Sequence, residues 1–136
     1  MSKQLVEKLN LLIADFTVFY QKLRHYHWNV KGEQFFMLHE KFEEVYTEVG
    51  DVIDGLAERI VGLEGTPLHT LGHMLEATSL KEDEELPAPF KMVERTVADI
   101  DSLNKNLLEA IEMGEDAGDR TPVNLLDEIH DGLEAH

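Results

Sequence analysis

The sequence predicts an all-α protein: one domain over residues 1–136, built as a four-helix bundle with a short helix in a long crossover. Four segments repeat apolar residues at steps of three and four, which is the spacing of one face of a helix. The connection between the second and third segments is far longer than a helical hairpin needs. No segment alternates polar and apolar residues as a half-buried strand does.

Helix one is predicted from Gln4 to Val30 and helix two from near Gln34 to about residues 65–67. The first apolar stripe comprises Leu5, Leu9, Leu12, Phe16, Phe19 and Leu23, and it ends at His27. The second comprises His39, Phe42, Tyr46, Val49, Ile53, Leu56, Ile60 and Leu63. The turn at Gly32 is short, so we expect the two helices to be antiparallel neighbours.

A crossover to about Pro89 is predicted next, with a short amphipathic turn or two at Leu68, Leu71 and Leu75. Helix three is expected from about Phe90 to Gly114, with Phe90, Val93, Val97, Ile100, Leu107 and Ile111 on its apolar face. Helix four is expected to start with Thr121 as N-cap and Pro122 at its first position, and to run to His136. Its apolar residues are Leu125, Leu126, Ile129 and Leu133.

This order of two short connections around one long crossover is the ferritin-like way of closing a four-helix bundle. The pattern therefore predicts the fold class. It does not predict the function, because such a bundle can be a metal enzyme, a binding scaffold or a cytokine-like ligand.

Composition narrows the classes of partner and of site. The chain has 12 Lys+Arg against 28 Asp+Glu, a net charge of −16, so its surface repels phosphate backbones and attracts cations. It has no Cys, which excludes disulfides, zinc fingers, thiolate catalysis and iron–sulfur clusters. Any bound metal must use His and carboxylate ligands. No apolar run is long enough for a secretory signal or a membrane span, so we expect a cytoplasmic protein without a membrane partner.

Four residues are candidate metal ligands: His27, His39, Asp54 and Glu58. Taken singly, each has an ordinary explanation. A His on an apolar stripe is more often a hydrogen-bonded core residue, and an Asp–Glu pair four residues apart is usually a solvated helix face.

The length of helix two separates these candidates into two pairs. His27 ends helix one and His39 begins helix two across a tight turn, so the two imidazoles can face one site. Asp54 and Glu58 lie one turn apart, roughly 6 Å, and can bind one cation. His39 and Asp54 are fifteen residues apart on one helix, about 22 Å, so the two pairs cannot share an ion within one chain.

A symmetric dimer resolves this separation. A two-fold axis near the middle of helix two would bring the histidines of one chain to the acids of its mate, twice per dimer. Gly50 and Gly55 each destabilise the helix by about 1 kcal/mol relative to Ala, and close approach of another chain would account for them.

Other residues bear on the kind of metal site. The chain contains no Glu-x-x-His, which weighs against a di-iron centre inside one bundle. Two nitrogens with two carboxylates suit Fe(II), Zn(II), Co(II) or Mn(II). Glu43, one turn after His39, is an auxiliary ligand or outer-shell base, or simply a solvated residue. Trp28 is an electron donor, or a residue that packs at an interface.

The chain resembles the Dps-type miniferritins, part of the ferritin-like superfamily, over essentially its whole length. The resemblance is most specific in three segments: residues 27–32 (HWNVKG), 35–42 (FFMLHEKF) and 54–59 (DGLAER). The spacings of twelve, fifteen and four between the four candidate ligands all agree with that family.

The resemblance implies a hollow dodecamer with ferroxidase sites at its two-fold interfaces. His27 and His39 of one subunit would face Asp54 and Glu58 of the other. Iron, as Fe(II), would be oxidised there by hydrogen peroxide in preference to dioxygen, and ferric mineral would be stored inside. Glu43 stands where the family often has a further acid, and Trp28 matches its aromatic neighbour.

The sequence departs from the family at both ends. Relatives that bind DNA directly commonly use a basic tail, whereas only Lys3 and Lys8 are available here, so we expect no direct DNA binding. The last helix is shorter than the family's, and the sequence leaves both a natural end and a truncation open. Asp119 and Asp127 are candidates for a three-fold pore, but Asn124 stands where an acid is expected.

The sequence thus favours an iron-storage and detoxification protein with ferroxidase activity. One alternative is a nucleoid-associated, DNA-protecting protein whose iron site is secondary, and the missing basic tail weighs against it. Another is a purely structural bundle in which His27 and His39 are packing residues.

Overall fold

The computed structural model describes residues 2–33 and 35–134, which form five α-helices and no strand. They are α1 Ser2–Asn29, α2 Phe35–Gly62, α3 Leu71–Ala77, α4 Pro89–Asp116 and α5 Arg120–Glu134. The predicted all-α fold is confirmed, including the short helix in the crossover. The expected helix start near Gln34 and helix end at His136 lie outside the described residues. None of the helices in the described ranges has the length and apolarity needed to span a bilayer.

Helix α1 is the central element of the bundle. It packs against α2, α3 and α4, while α4 packs against α5 and α2 meets α5 only lightly. All six apolar residues predicted for its stripe, from Leu5 to Leu23, are at most 2% exposed. Burial of this stripe supplies much of the apolar stabilisation of the fold, at roughly 25 cal/mol per Å². The stripe ends at His27, which is 7% exposed.

A short turn connects α1 to α2. Gly32 has φ +99°, a left-handed conformation that favours glycine, and its carbonyl accepts a hydrogen bond from the Phe35 amide at 3.1 Å. The predicted antiparallel α1–α2 pair is present, and the turn brings the end of α1 beside the start of α2.

Buried carboxylates fix the crossover to α1. Asp15 is fully buried and accepts hydrogen bonds from the Thr78 hydroxyl at 2.6 Å and from the Ser79 amide and hydroxyl at 2.7 and 2.9 Å. Further along, Asp83 accepts the Tyr26 hydroxyl at 2.5 Å. Tyr26 directly precedes His27 in the sequence. Its hydrogen bond to Asp83 therefore lets the crossover support the end of α1 that carries this candidate ligand.

The apolar face predicted for the first half of helix three is wrong. Phe90, Val93 and Val97 are 74%, 39% and 51% exposed, whereas Met92 and Leu103 are buried. Polar residues occupy the inward positions between the buried ones. The Thr96 hydroxyl donates to the Met92 carbonyl at 2.7 Å, and Asp99 pairs with Lys22 of α1 at 2.6 Å. These internal partners allow polar side chains to face the bundle, which the hydrophobic pattern does not reveal.

Two predicted helix ends also differ from the structure. Helix α2 ends at Gly62, a few residues early, in a turn where Glu64 has φ +64° and the Gly65 amide bonds the Ile60 carbonyl. Helix α5 begins at Arg120, so Thr121 lies inside the helix and not at the N-cap position that was predicted for it. The reason is that a single left-handed residue, Gly118 at φ +74°, suffices to reverse the chain after α4.

Candidate metal centre

The imidazoles of His27 and His39 meet where α1 ends and α2 begins. Their ring centroids are 3.7 Å apart and the ring planes differ by 17°. Each ring also reaches the backbone of the other residue: His27 Nδ1 lies 2.7 Å from the His39 carbonyl, and His39 Nδ1 lies 2.7 Å from the His27 carbonyl. The structure therefore brings together the two histidines that the sequence predicted to share a site.

These hydrogen bonds determine which nitrogen of each ring is available to a metal. A carbonyl oxygen can only accept, so both Nδ1 atoms must carry the hydrogen and donate it. In the neutral imidazole, Nε2 then bears the lone pair. A backbone carbonyl on the second nitrogen is also the usual partner of a metal-ligating histidine. Both rings thus offer Nε2 as a ligand atom.

Glu43 lies within reach of the same point. It follows His39 by one turn of α2, and its Oε1 is 3.8 Å from His27 Nε2. One ligand atom from each of His27, His39 and Glu43 lies within 4.8 Å of the other two, and no other group of three or more His, Asp or Glu meets this condition within residues 2–33 and 35–134. Two imidazoles and one carboxylate form an incomplete but chemically suitable set for a divalent transition metal.

Asp54 and Glu58 are not part of this group. Both are exposed on α2: at 1.5 Å per residue, Asp54 lies about 22 Å and Glu58 about 28 Å along the helix from His39. Within the described part of the chain, neither carboxylate has an ion pair or a hydrogen bond. The structure agrees with the length argument: one subunit carries two separated half-sets of candidate ligands.

Gly50 and Gly55 of α2 have neighbours within the chain. A Cβ at Gly50 would lie 3.5 Å from the Tyr20 ring, and one at Gly55 would lie 3.6 Å from Leu125 Cδ1. These are ordinary contact distances, so alanine would fit at either position as far as one chain is concerned. The glycines alone therefore carry no argument for or against a second chain on this face.

Two aromatic rings, Phe35 and Tyr46, contact the histidine pair. Phe35 stacks on His39 with centroids 4.8 Å apart, and Tyr46 meets His27 edge-on at 5.4 Å. Neither was predicted as a site residue, although their one-turn and two-turn spacing from His39 was a usable signal. Trp28 is instead 56% exposed and lies under the Arg24 guanidinium, 4.9 Å from its carbon.

The charged groups beside the site hold the end of α1 in place. Asp83 accepts hydrogen bonds from Tyr26, from the Glu85 amide and from Arg95 at 2.9 Å. Burial raises the pKa of Tyr26, and the Asp83 carboxylate raises it further. Tyr26 therefore stays protonated and donating, and its ring packs against Phe42 of α2.

Comparisons with known proteins agree with this architecture. A family model for a ferritin-like domain matches residues 6–136. General stress protein 20U of Bacillus subtilis (strain 168) is 40% identical over 136 residues, covering all of this chain and 94% of that protein. The DNA protection during starvation protein of Brevibacillus brevis is 43% identical over 128 residues, covering 94% of this chain and 86% of the relative.

Solved structures show the same similarity. Dps from Staphylococcus aureus superposes with a TM-score of 0.95 at 38% identity, covering 98% of this chain and 90% of that one. The Vibrio cholerae Dps protein, described as a member of a broad superfamily of ferritin-like diiron-carboxylate proteins, has a TM-score of 0.96 at 34% identity. This superposition covers 98% of this chain and 84% of the Vibrio cholerae chain. On these sequence and structural grounds, the chain belongs to the Dps-type miniferritins of the ferritin-like superfamily.

Proposed function

We propose that this protein is a ferroxidase that oxidises Fe(II), preferentially with hydrogen peroxide, and stores the ferric product as mineral in a hollow dodecamer. The observation that carries the proposal is the separation of ligands in one chain. Ligand atoms of His27, His39 and Glu43 converge near the start of α2, while Asp54 and Glu58 lie exposed and unpartnered in the described chain, about 22 Å or more from His39 along the helix.

Two subunits would complete each site. A two-fold axis near the middle of α2 would place Asp54 and Glu58 of a second copy opposite His27 and His39, and would do so twice per dimer. The imidazoles would act as neutral ligands and the acids as bridging or terminal carboxylates. Glu43 would be an additional ligand or would accept a proton from water beside the iron.

The chemistry suits both storage and protection. Two Fe(II) ions each give one electron to hydrogen peroxide, which takes up two protons and leaves as two water molecules. Because both electrons arrive together, no hydroxyl radical is released. The net charge of −16 attracts Fe(II) to the protein surface.

A subunit-mixing experiment tests the shared site. One variant, His27→Ala with His39→Ala, lacks the nitrogen ligands, and the other, Asp54→Ala with Glu58→Ala, lacks the acids. Each alone is expected to lose rapid Fe(II) oxidation. When the two are unfolded, mixed equally and refolded, random pairing leaves about a quarter of the sites with both halves intact.

The expected result is recovery of about a quarter of the wild-type rate in the mixture. No recovery, or full activity in the acid variant alone, would contradict a site built from two chains. Each variant refolded with itself controls for refolding. Glu44→Ala with Glu48→Ala, an acid pair of the same spacing on the same helix, is expected to keep wild-type rates.

A mass measurement in solution tests the assembly separately. The expected species is about twelve times the mass of one 15.5 kDa chain. Addition of Fe(II) and peroxide should increase that mass as mineral accumulates. The cytoplasmic location expected from the sequence stays a prediction.

A further inference from the structure

Three flat rings form a column at the candidate metal centre. Phe35 stacks on His39 with centroids 4.8 Å apart and planes 21° apart, and His39 stacks on His27 at 3.7 Å and 17°. Two near-parallel rings cannot occupy the same face of a third without overlapping, so His39 lies between Phe35 and His27. The first residue of α2 thus covers the outer face of a candidate ligand one turn later.

The column restrains a motion that the hydrogen bonds leave open. The bond from His39 Nδ1 to the His27 carbonyl fixes one corner of the ring, but a hydrogen bond tolerates tilts of tens of degrees before it weakens strongly. A ring stacked on both faces cannot tilt in this way without losing contact. The direction of the His39 Nε2 lone pair therefore depends on Phe35 as well as on the hydrogen bond.

We infer that Phe35 is a positioning residue for metal binding: its ring fixes the plane of His39 and so aims Nε2 at the ion. This inference rests on the proposed function. Phe35 also acts when the site is loaded, because an imidazole bound to a cation becomes more positive and the face of a phenyl ring attracts positive charge.

A purely structural role for Phe35 predicts something different. The ring is half-buried and also packs against the bundle core, so its loss will reduce stability in any case. A structural role alone would leave the affinity and the geometry of the folded site unchanged. Metal affinity and a ligand-field spectrum therefore separate the two roles.

The test uses Co(II) alone, without oxidant, as the probe. Phe35→Leu is compared with Phe36→Leu, a neighbour that is 78% exposed and whose ring contacts Phe35 but neither histidine. We expect Phe35→Leu to bind Co(II) about tenfold more weakly in calorimetric titration and to shift its visible absorption bands. We expect Phe36→Leu to match wild type, and Phe35→Tyr, which keeps the flat ring, to restore both properties.

The outcomes distinguish this inference from the proposed function. If wild type binds no Co(II) and His39→Ala changes nothing, the proposed site is wrong and the inference falls with it. If wild type binds Co(II) through His39 but Phe35→Leu keeps wild-type affinity and spectrum, only the positioning role is overturned. Circular dichroism verifies folding, and if Phe35→Leu fails to fold, Phe35→Met replaces it with the same expected results.

Discussion

His27 and His39 each donate the Nδ1 hydrogen to the other's backbone carbonyl, at 2.7 Å in both directions. The pair therefore joins the last turn of α1 to the first turns of α2 in addition to offering two ligand atoms. We expect His39→Ala to lower the free energy of unfolding by about 1–3 kcal/mol, because the hydrogen bond from His39 Nδ1 to the His27 carbonyl and the stacking of the His39 ring are lost. Urea unfolding at equal protein concentrations measures this difference.

The matched control for this prediction is His69→Ala. His69 is exposed, and the one hydrogen bond that its ring makes in the described chain is to the nearby Pro67 carbonyl. We expect its loss to change stability by less than about 0.5 kcal/mol. Equal effects of the two variants would show that the hydrogen bond and the stacking of the His39 ring contribute nothing to the fold.

Asp15 of α1 is expected to be the most important single polar residue for holding the crossover in place. Its buried carboxylate accepts hydrogen bonds from Thr78, from the Ser79 amide and hydroxyl, and from Asn106 of α4 at 3.3 Å. Replacement by Ala leaves these donors without their acceptor, so we expect a loss of about 2–4 kcal/mol in urea unfolding. Asp101→Ala, on the exposed surface of α4, should have little effect; a similar loss there would remove the special role of Asp15.

Asp83 is expected to make the free energy of unfolding depend on pH in the acidic range. Burial tends to raise its pKa, but the Tyr26 hydroxyl, the Glu85 amide and Arg95 outweigh burial and lower the pKa from 3.8 to about 2. A carboxylate with a lowered folded-state pKa stabilises the fold fully above its ordinary pKa and loses that contribution as pH falls to the folded value.

Comparison of wild type with Asp83→Asn across pH measures this contribution. Wild type should be more stable by about 1–2 kcal/mol at pH 6, and the difference should shrink steadily from about pH 4.5 to pH 2. A difference that stays constant over this range would mean that the Asp83 charge does not contribute. Asp101→Asn serves as the exposed comparison.

Gly114 permits close packing of α4 on α5. A Cβ at this buried position would lie 2.7 Å from Val123 Cγ2, which is too close for undisturbed packing. We expect Gly114→Ala to lower the thermal unfolding midpoint, with a loss of about 1–3 kcal/mol. Adding Val123→Ala removes the clashing methyl groups, so the double variant should lose less than the sum of the single losses. Simple additivity would show that the contact does not limit packing.

DNA binding is expected to be absent under physiological conditions. The charge of −16 repels phosphate, and Lys8 of α1 is already paired with Glu109 at 2.7 Å. A gel-shift assay at moderate ionic strength and without Mg²⁺ should show no retardation. Stable retardation would favour the alternative of a directly DNA-binding nucleoid protein.

The sequence predicted the fold well where burial decides it. The α1 stripe from Leu5 to Leu23 is buried as predicted, because apolar residues at that spacing have no other way to leave water. The apolar face of the first half of α4 was predicted wrongly because Thr96 and Asp99 reach the interior with internal partners. A pattern of hydrophobicity cannot show that a polar side chain will find a partner on another helix.

The sequence predicted only part of the candidate site. The spacing of His27 and His39 across a short turn implied that they meet, and the structure brings them together. The stacking of Phe35 and the mutual hydrogen bonds depend on ring orientations, which no spacing reveals. The role of Asp54 and Glu58 depends on a second chain, so it stays a prediction.

The mutual hydrogen bonds of the two histidines have a consequence for the thermodynamics of metal capture. Neither ring can turn over without replacing its donated hydrogen by a carbon facing a carbonyl, so both rings are ordered as soon as the chain folds. The conformational entropy of arranging them is lost during folding, and an arriving ion does not have to supply it. If the proposed function holds, folding arranges half of the metal ligands in advance, and this raises the affinity for the ion.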